Sequence, residues 1–321
     1  MGDLQPPTLT SSIAAASLSP QSLNFAALSR SPQTWRAYSS DWRQFSAFAA
    51  CHGRAALPAD PATVSDYCSH LATAAGRKPA TIARALAAIS QAHHLAGLPS
   101  PTTSAPVRSV MAGIRRSLGS AQQAKTALSP HDLARMLADP GPGLWGVRNR
   151  ALILTAFAAA LRRSELVALQ LSDLEHTPEG FVLTIRCSKT DQVGEGNLIG
   201  IPRARNVELC PVAALARWIE TAPITAGPLF RAIHRRSGLT SRALEDHRVA
   251  GIVKELAARA GLDPAVFSAH SLRSGLATSA ARAGASERSI MEQTRHKSLT
   301  QVRRYIQRGS LFTDNAAARA L

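Results

Sequence analysis

Cysteine is scarce: four in 321 residues, at positions 51, 68, 187 and 210, with no CxxC pair. That spacing supports neither a structural zinc site nor a disulfide framework, and it fits a reducing compartment. Acidic residues are also few. There are 21 Asp and Glu against 37 Lys and Arg, a formal net charge of +16 at pH 7. Such a surplus points to a polyanionic partner, nucleic acid first and an anionic membrane second. Long apolar runs are missing too. The most apolar stretch, Ala151–Leu161, has eleven residues, where a membrane span needs roughly 20. Residues 1–20 lack the basic start and apolar centre of a secretory signal. Lysine and tyrosine are rare, with five and three copies against 32 arginines. Any role that needs a lysine or a tyrosine therefore has few candidates.

What is present describes a globular chain of about two domains. Hydrophobic residues make up 45% and charged residues 18%, so disorder is not expected. Residues 1–30 read as a flexible N-terminal tail with room for one short docking helix. Ser31-Pro32 then looks like an N-cap followed by proline in the first helical turn. Trp35, Tyr38, Trp42, Phe45 and Phe48/Ala49 recur at steps of three and four, so this helix should bury an aromatic face and end at Gly53. Three further helices are expected over about 61–75, 79–96 and 105–118, each bounded by proline or glycine. Residues 119–129, small and polar, read as the linker between domains. Beyond it come a helix opened by Ser129-Pro130, a buried helix over 147–161, and a short one over 165–170 that Ser164 can cap. Phe181–Ile185 and Leu198–Pro202 form an antiparallel hairpin, with Leu174–Thr177 as a possible third strand. Everything after residue 207 reads as helix. The two halves share the charge, +7 for residues 1–127 and +9 for 128–321. Two basic domains on a flexible linker suit a clamp around a duplex.

Three stretches carry chemistry. In LRRSEL, Arg162 stands where a buried helix ends and another begins, a place that holds a guanidinium rigid for a phosphate. Glu165, three residues on, can orient it; alone, the pair also reads as a solvated helix end. In HSLRSGLAT, His270 and Arg273 project from one helix face, although HxxR is common on surface helices. In RHKSLTQVRRY, His296 and Tyr305 stand nine residues apart among basic residues; alone, this also reads as a basic helix with a buried tyrosine.

In this order, with a hairpin lysine between the first and second stretches, the three resemble the boxes of the tyrosine recombinase (phage integrase) family, and the resemblance covers about residues 31–310. It implies a mainly α fold. An N-terminal four-helix core-binding (SAM-like) domain over 31–118 would join a mixed α/β catalytic domain over 130–310, mostly helical with one small antiparallel β-hairpin or three-stranded sheet. It implies that Tyr305 attacks a phosphate and forms a 3′-phosphotyrosine, conserving the bond energy as an ester. Arg162 and Arg273 would hold the charge that builds on the phosphorane. His270 and His296 would bind the phosphate or move the tyrosine proton. The family's β-turn lysine protonates the leaving oxygen. Between Arg162 and His270 only Lys189 and Lys254 are available, and Lys189 lies at the hairpin mouth. In the first domain Arg36, Arg43, Arg77, Lys78 and Arg84 are candidate DNA contacts, mostly to the backbone.

No metal and no cofactor is expected. The implied partners are a double-stranded recombination site and three further copies of the chain in a tetramer, with room for accessory proteins, and the implied setting is cytoplasmic, at a bacterial or phage-type nucleoid. The tail 311–321 would dock in trans on a neighbouring protomer or fold back in cis. Three positions depart from the pattern: Arg295 for the usual glycine before the second histidine, Ser274 for a frequent histidine, and Asn149 for a common aspartate. The competing readings are a type IB topoisomerase, which relaxes one duplex, and a DNA-binding protein with an inert site.

Overall fold

The computed structural model describes residues 19–119, 125–186, 196–236, 238–296, 298–310 and 317. The chain divides into two compact units, Met1–Gln123 and Ala124–Leu321.

The first unit is helical: α1 (Pro20–Leu28), α2 (Pro32–Cys51), α3 (Pro61–Thr73), α4 (Pro79–Leu95) and α5 (Ala105–Leu118). Ser31 and Asp60 cap α2 and α3 by accepting from the Thr34 and Thr63 amides, and a proline follows each cap. Such a start satisfies orphan amides and presets φ. The aromatic face of α2 is buried only from its middle onward. Phe45 and Ala49 are fully enclosed, and the Phe45 ring lies 5.2 Å from that of Tyr67. Trp35 and Tyr38 stay half-buried, and the Arg30 guanidinium lies 5.5 Å from the Tyr38 ring centre. Two polar residues on α2, Ser39 and Asp41, are buried as well. Asp41 takes a bidentate pair from Arg84 Nε and Nη2 at 2.8 and 3.0 Å. His93, fully buried, joins two segments: its Nε2 accepts from the Ala59 amide at 2.9 Å and its Nδ1 faces the Ile89 carbonyl at 2.8 Å.

The second unit begins earlier than the sequence implies. Within the expected linker, Leu128 is fully buried and its amide donates to the Ser271 carbonyl at 3.0 Å. Next come α6 (Pro130–Ala138), the enclosed α7 (Gly143–Ala158) and α8 (Arg163–Ala168). Strands β1 (Leu174–His176), β2 (Gly180–Ile185) and β3 (Asn197–Pro202) form one antiparallel sheet in that order. The third strand is therefore present. After α9 (Pro211–Thr221) the chain makes a second hairpin, β4 (Arg231–His234) with β5 (Gly238–Ala243). The expectation of helix throughout this region is corrected here. No residue of either strand is fully buried, so no apolar alternation marks them, and the strands and their turn are rich in arginine. Helices α10 (Asp246–Arg259), α11 (Ala269–Arg282), α12 (Glu287–Thr294) and α13 (Leu299–Ser310) complete the unit.

The core gathers Leu152, Ile153, Trp218, Phe230, Leu256 and Leu272. Gly275 on α11 is required by packing, since a Cβ there would sit 2.2 Å from the Leu128 carbonyl oxygen. No helix among the described residues is long and apolar enough to cross a membrane.

Candidate active site

Two helix ends build the site. At the end of α7 the amides of Ala160 and Leu161 turn back to the Phe157 and Ala156 carbonyls. At the end of α12 those of Arg295 and His296 return to Glu292 and Met291. Both are Schellman closures, which place one residue in the left-handed region and favour glycine there. Here those residues are Ala160 (φ 46°) and Arg295 (φ 53°), the two non-glycine residues with positive φ among those described. Each costs about 1–2 kcal/mol of backbone strain. Both occurrences fall in one site, which is where strain collects when the surroundings fix it.

The carbonyls exposed by these turns hold arginines. Arg273, 2% exposed, donates from Nη1 to the Ala160 carbonyl at 2.6 Å and from Nη2 to the Thr294 carbonyl. Arg295 donates to the Ala159 and Ala160 carbonyls at 3.0 and 3.3 Å. Cations suit the negative end of a helix.

Glu165 joins the set. Its side chain is 1% exposed and takes Arg162 Nη1 at 2.5 Å and Arg295 Nη2 at 2.8 Å. The same carboxylate caps α8 by accepting the Arg162 amide at 2.9 Å. Burial opposes its ionisation. The Arg295 charge, with the Arg162 amide and guanidinium, outweighs that penalty and holds the carboxyl below its ordinary pKa. Arg295 thus replaces the small residue that the turn favours with one that pairs a buried acid. Burial, then the Arg162 and Arg295 charges, push Arg273 down to about 10, so it stays charged at neutral pH.

Two histidines and the tyrosine complete the site. His270 Nε2 is 3.0 Å from the Tyr305 hydroxyl. The His296 ring centre lies 5.8 Å from that of Tyr305, and His296 Nδ1 is 2.6 Å from Thr294 Oγ1. Partial burial, followed by the Arg273 and Arg162 charges, lowers both histidines, His296 to about 4. Tyr305 reaches them from α13, packed beside Ala277, Ile290 and Val302.

The structure therefore brings Arg162, Glu165, His270, Arg273, His296 and Tyr305 together from four segments. Lys189 lies outside the described residues, in the connection between β2 and β3. Ser274 donates back to the His270 and Ser271 carbonyls, and Asn149 holds Arg148 and the Pro140 carbonyl, so both departures do local structural work. Arg36, Arg43, Arg77, Lys78 and Arg84 are all exposed on the first unit, and Arg84 also pairs with Asp41. Thr294 and Ala160 escaped sequence reading. The preference for glycine at left-handed closures was the available signal for Arg295; nothing in composition marks Thr294. Among the described residues no group of three or more His, Cys, Asp or Glu is placed to hold a metal.

The phage integrase family profile matches residues 126–310, more than half the chain. The chain belongs to the phage integrase family. Among the relatives of this integrase is the integrase/recombinase xerD homolog of Selenomonas ruminantium, 44% identical over 91% of this chain and 86% of that protein. Recombinase cre of Escherichia phage P1 is 28% identical over 86% and 84%. The fold of the integrase is shared with XerH site-specific recombinase, solved in a post-cleavage complex with difH substrate, at a TM-score of 0.59 and 19% identity over 81% of this chain and 72% of that one. It is shared too with a lambda integrase dimer bound to a core site, at 0.58 and 18% over 92% and 95%.

The lowered histidine values have a direct consequence. At pH 7 both imidazoles of the free integrase are neutral, and both gain their protons only below the ordinary value of 6.5. An NMR titration is expected to place the His296 midpoint near 4. A midpoint at or above 6.5 for His296 would show that the surrounding arginine charge does not reach it.

Proposed function

We propose that this integrase is a site-specific recombinase in which Tyr305 cleaves DNA. The observation that carries the reading is the Tyr305 hydroxyl set 3.0 Å from His270 Nε2, over a layer of fixed guanidinium charge. In the reaction the phenol oxygen attacks the scissile phosphorus and its proton passes to His270. The bond to the 5′ oxygen breaks as the 3′-phosphotyrosine forms. Arg162 and Arg273 stabilise the negative charge on the non-bridging oxygens, and one such preorganised donor is worth roughly 10²–10³ in rate. Lys189 gives a proton to the leaving 5′ oxygen. The freed 5′ hydroxyl of a second strand then attacks the phosphotyrosine, returns the proton and releases Tyr305. The ester bond is kept throughout, so exchange needs no external energy.

Two such exchanges between duplexes pass through a Holliday junction, and a tetramer supplies the four tyrosines. We place the work on chromosomal or phage DNA in the cytoplasm. Arg36, Arg43, Arg77 and Lys78 serve as phosphate contacts in this reading, which fits the net charge of +16. Arg84 has its fork engaged by Asp41 and is left out of that set.

Trapping covalent protein–DNA adducts from cells by rapid denaturation tests the reading. Adducts at a few discrete loci, absent with Tyr305→Phe, are expected, and their ends give the site. Adducts without sequence preference would instead indicate a topoisomerase. Their absence from a protein that still binds DNA would indicate an inert binding protein.

Lys189 has its own test. Lys189→Ala is expected to slow cleavage by about 10²–10⁴. The loss should vanish on a duplex with sulfur in place of the leaving 5′ oxygen, because a thiol, with a pKa of about 8.5, departs without an acid. An equal loss on both duplexes would remove Lys189 from that role.

A further inference from the structure

Among the described residues, the β1–β2 ladder ends toward Arg186 at Leu174 with Leu183, and the β2–β3 ladder at Ile185 with Asn197. Arg186 is the first residue past both, and Lys189 stands three residues further along the sequence. The Arg186 side chain continues a pairing that the backbone has ended. Its Nε donates to Asp173 Oδ1 at 2.5 Å, and its Nη2 donates to Ser172 Oγ at 2.9 Å. Two donors from one planar fork fix direction as well as distance. The ends of this pair are unlike. The Arg186 side chain is 59% exposed, that of Asp173 only 4%. Asp173 is itself anchored: its Oδ2 accepts the Gln170 amide at 2.9 Å, and its own amide donates to the Gln170 carbonyl at 3.0 Å. An ion pair between two exposed side chains holds little. Here the carboxylate is buried and already bonded, so the exposed guanidinium is the partner that is held.

We propose that Arg186 is a positioning residue for the leaving-group acid: tethered to Asp173 and Ser172, it fixes where the chain leaves β2 toward Lys189. The proposal rests on the reading of Lys189 as the residue that protonates the 5′ oxygen. Three residues span at most about 10 Å, so fixing the first limits where the backbone of the lysine can stand. Proton delivery needs heavy atoms within about 3 Å, and a misplacement of about 1 Å can cost 10²-fold. The anchor also belongs to the right part of the chain. Asp173 lies eleven residues after Arg162, in the short turn Leu171–Asp173 that follows α8, the helix that Glu165 caps. The tether thereby refers the acid to the same segment that holds one arm of the phosphate clamp. Direct contact of Arg186 with a DNA phosphate is the competing role, and experiment separates the two.

The test uses the full chain as parent, Lys189→Ala, Arg186→Met and Asp173→Asn. Methionine keeps the apolar stem of Arg186 and removes the fork. Asparagine keeps an acceptor for the Gln170 amide and removes the charge that holds Arg186, so the two variants reach the tether from opposite ends. Single-turnover cleavage is read on the duplex whose sequence comes from the DNA ends trapped on the parent, made with oxygen or with sulfur at the leaving 5′ position. Binding of the same duplexes is read alongside. Arg186→Met and Asp173→Asn are expected to cleave the oxygen duplex roughly 10- to 100-fold more slowly than the parent. On the sulfur duplex, where the leaving group needs no acid, both should match the parent, with DNA affinity unchanged throughout. A merely structural role would slow both duplexes alike. Equal losses on the two duplexes therefore overturn the proposal, as does a loss that follows weakened DNA binding, which marks a direct phosphate contact. Parent-like cleavage of the oxygen duplex by Arg186→Met overturns it as well. A Lys189→Ala loss that persists on the sulfur duplex contradicts the Lys189 reading itself, whatever the Arg186 and Asp173 variants do.

Discussion

A single buried carboxylate, Glu165, decides the layout of the site. It neutralises Arg162 on one side and Arg295 on the other, and it caps α8 with the same oxygens. Without it, three guanidiniums would crowd a buried layer whose other partners are neutral carbonyls. Removing one partner of a buried pair typically costs about 3–5 kcal/mol, because the remaining charge is stranded. That sensitivity suits a site built to receive an anion. In the proposed reaction the net positive charge stays in place before the phosphate arrives, and the transition state meets donors that need no reorganisation.

The helix ends supply the second constraint. The carbonyls of Ala159, Ala160 and Thr294 point where helical partners run out, and Arg273 and Arg295 satisfy them. Those bonds fix the plane of the Arg273 guanidinium more tightly than a surface ion pair does. They require two left-handed residues, and neither is glycine. The strain is offset by the contacts it makes possible. Function then follows from the same geometry: Tyr305 stands beside His270, and His296 beside Thr294, over charge that cannot drift.

Much of this was legible in the sequence because the site residues sit on short, patterned boxes. Arg162 and Glu165 share one helix start, and His270 and Arg273 share one helix face, so spacing alone paired them. The proline-led helix starts of the first unit were readable from local capping chemistry. What stayed hidden depends on distant or irregular contacts. Arg84 is exposed, as a surface cation should be, but no local pattern shows that its fork holds the buried Asp41, 43 residues away. The β4–β5 hairpin buries no residue fully and so leaves no alternation to see. The Arg295 departure was visible as a missing glycine, but its reason lies in Glu165, 130 residues earlier. The contact of Thr294 with His296 needs a backbone turn that no pattern of side chains announces.

Glu165 and Arg295 act as one unit holding the charge layer. The most direct measurement is a double-mutant cycle in denaturant unfolding with Glu165→Gln, Arg295→Gly and the pair. Each single change strands a partner, so the double variant is expected to lose less than the sum, with a coupling of about 1–3 kcal/mol. Losses that simply add, within about 0.5 kcal/mol, would show that the two residues are independent and that the layer is held by something else.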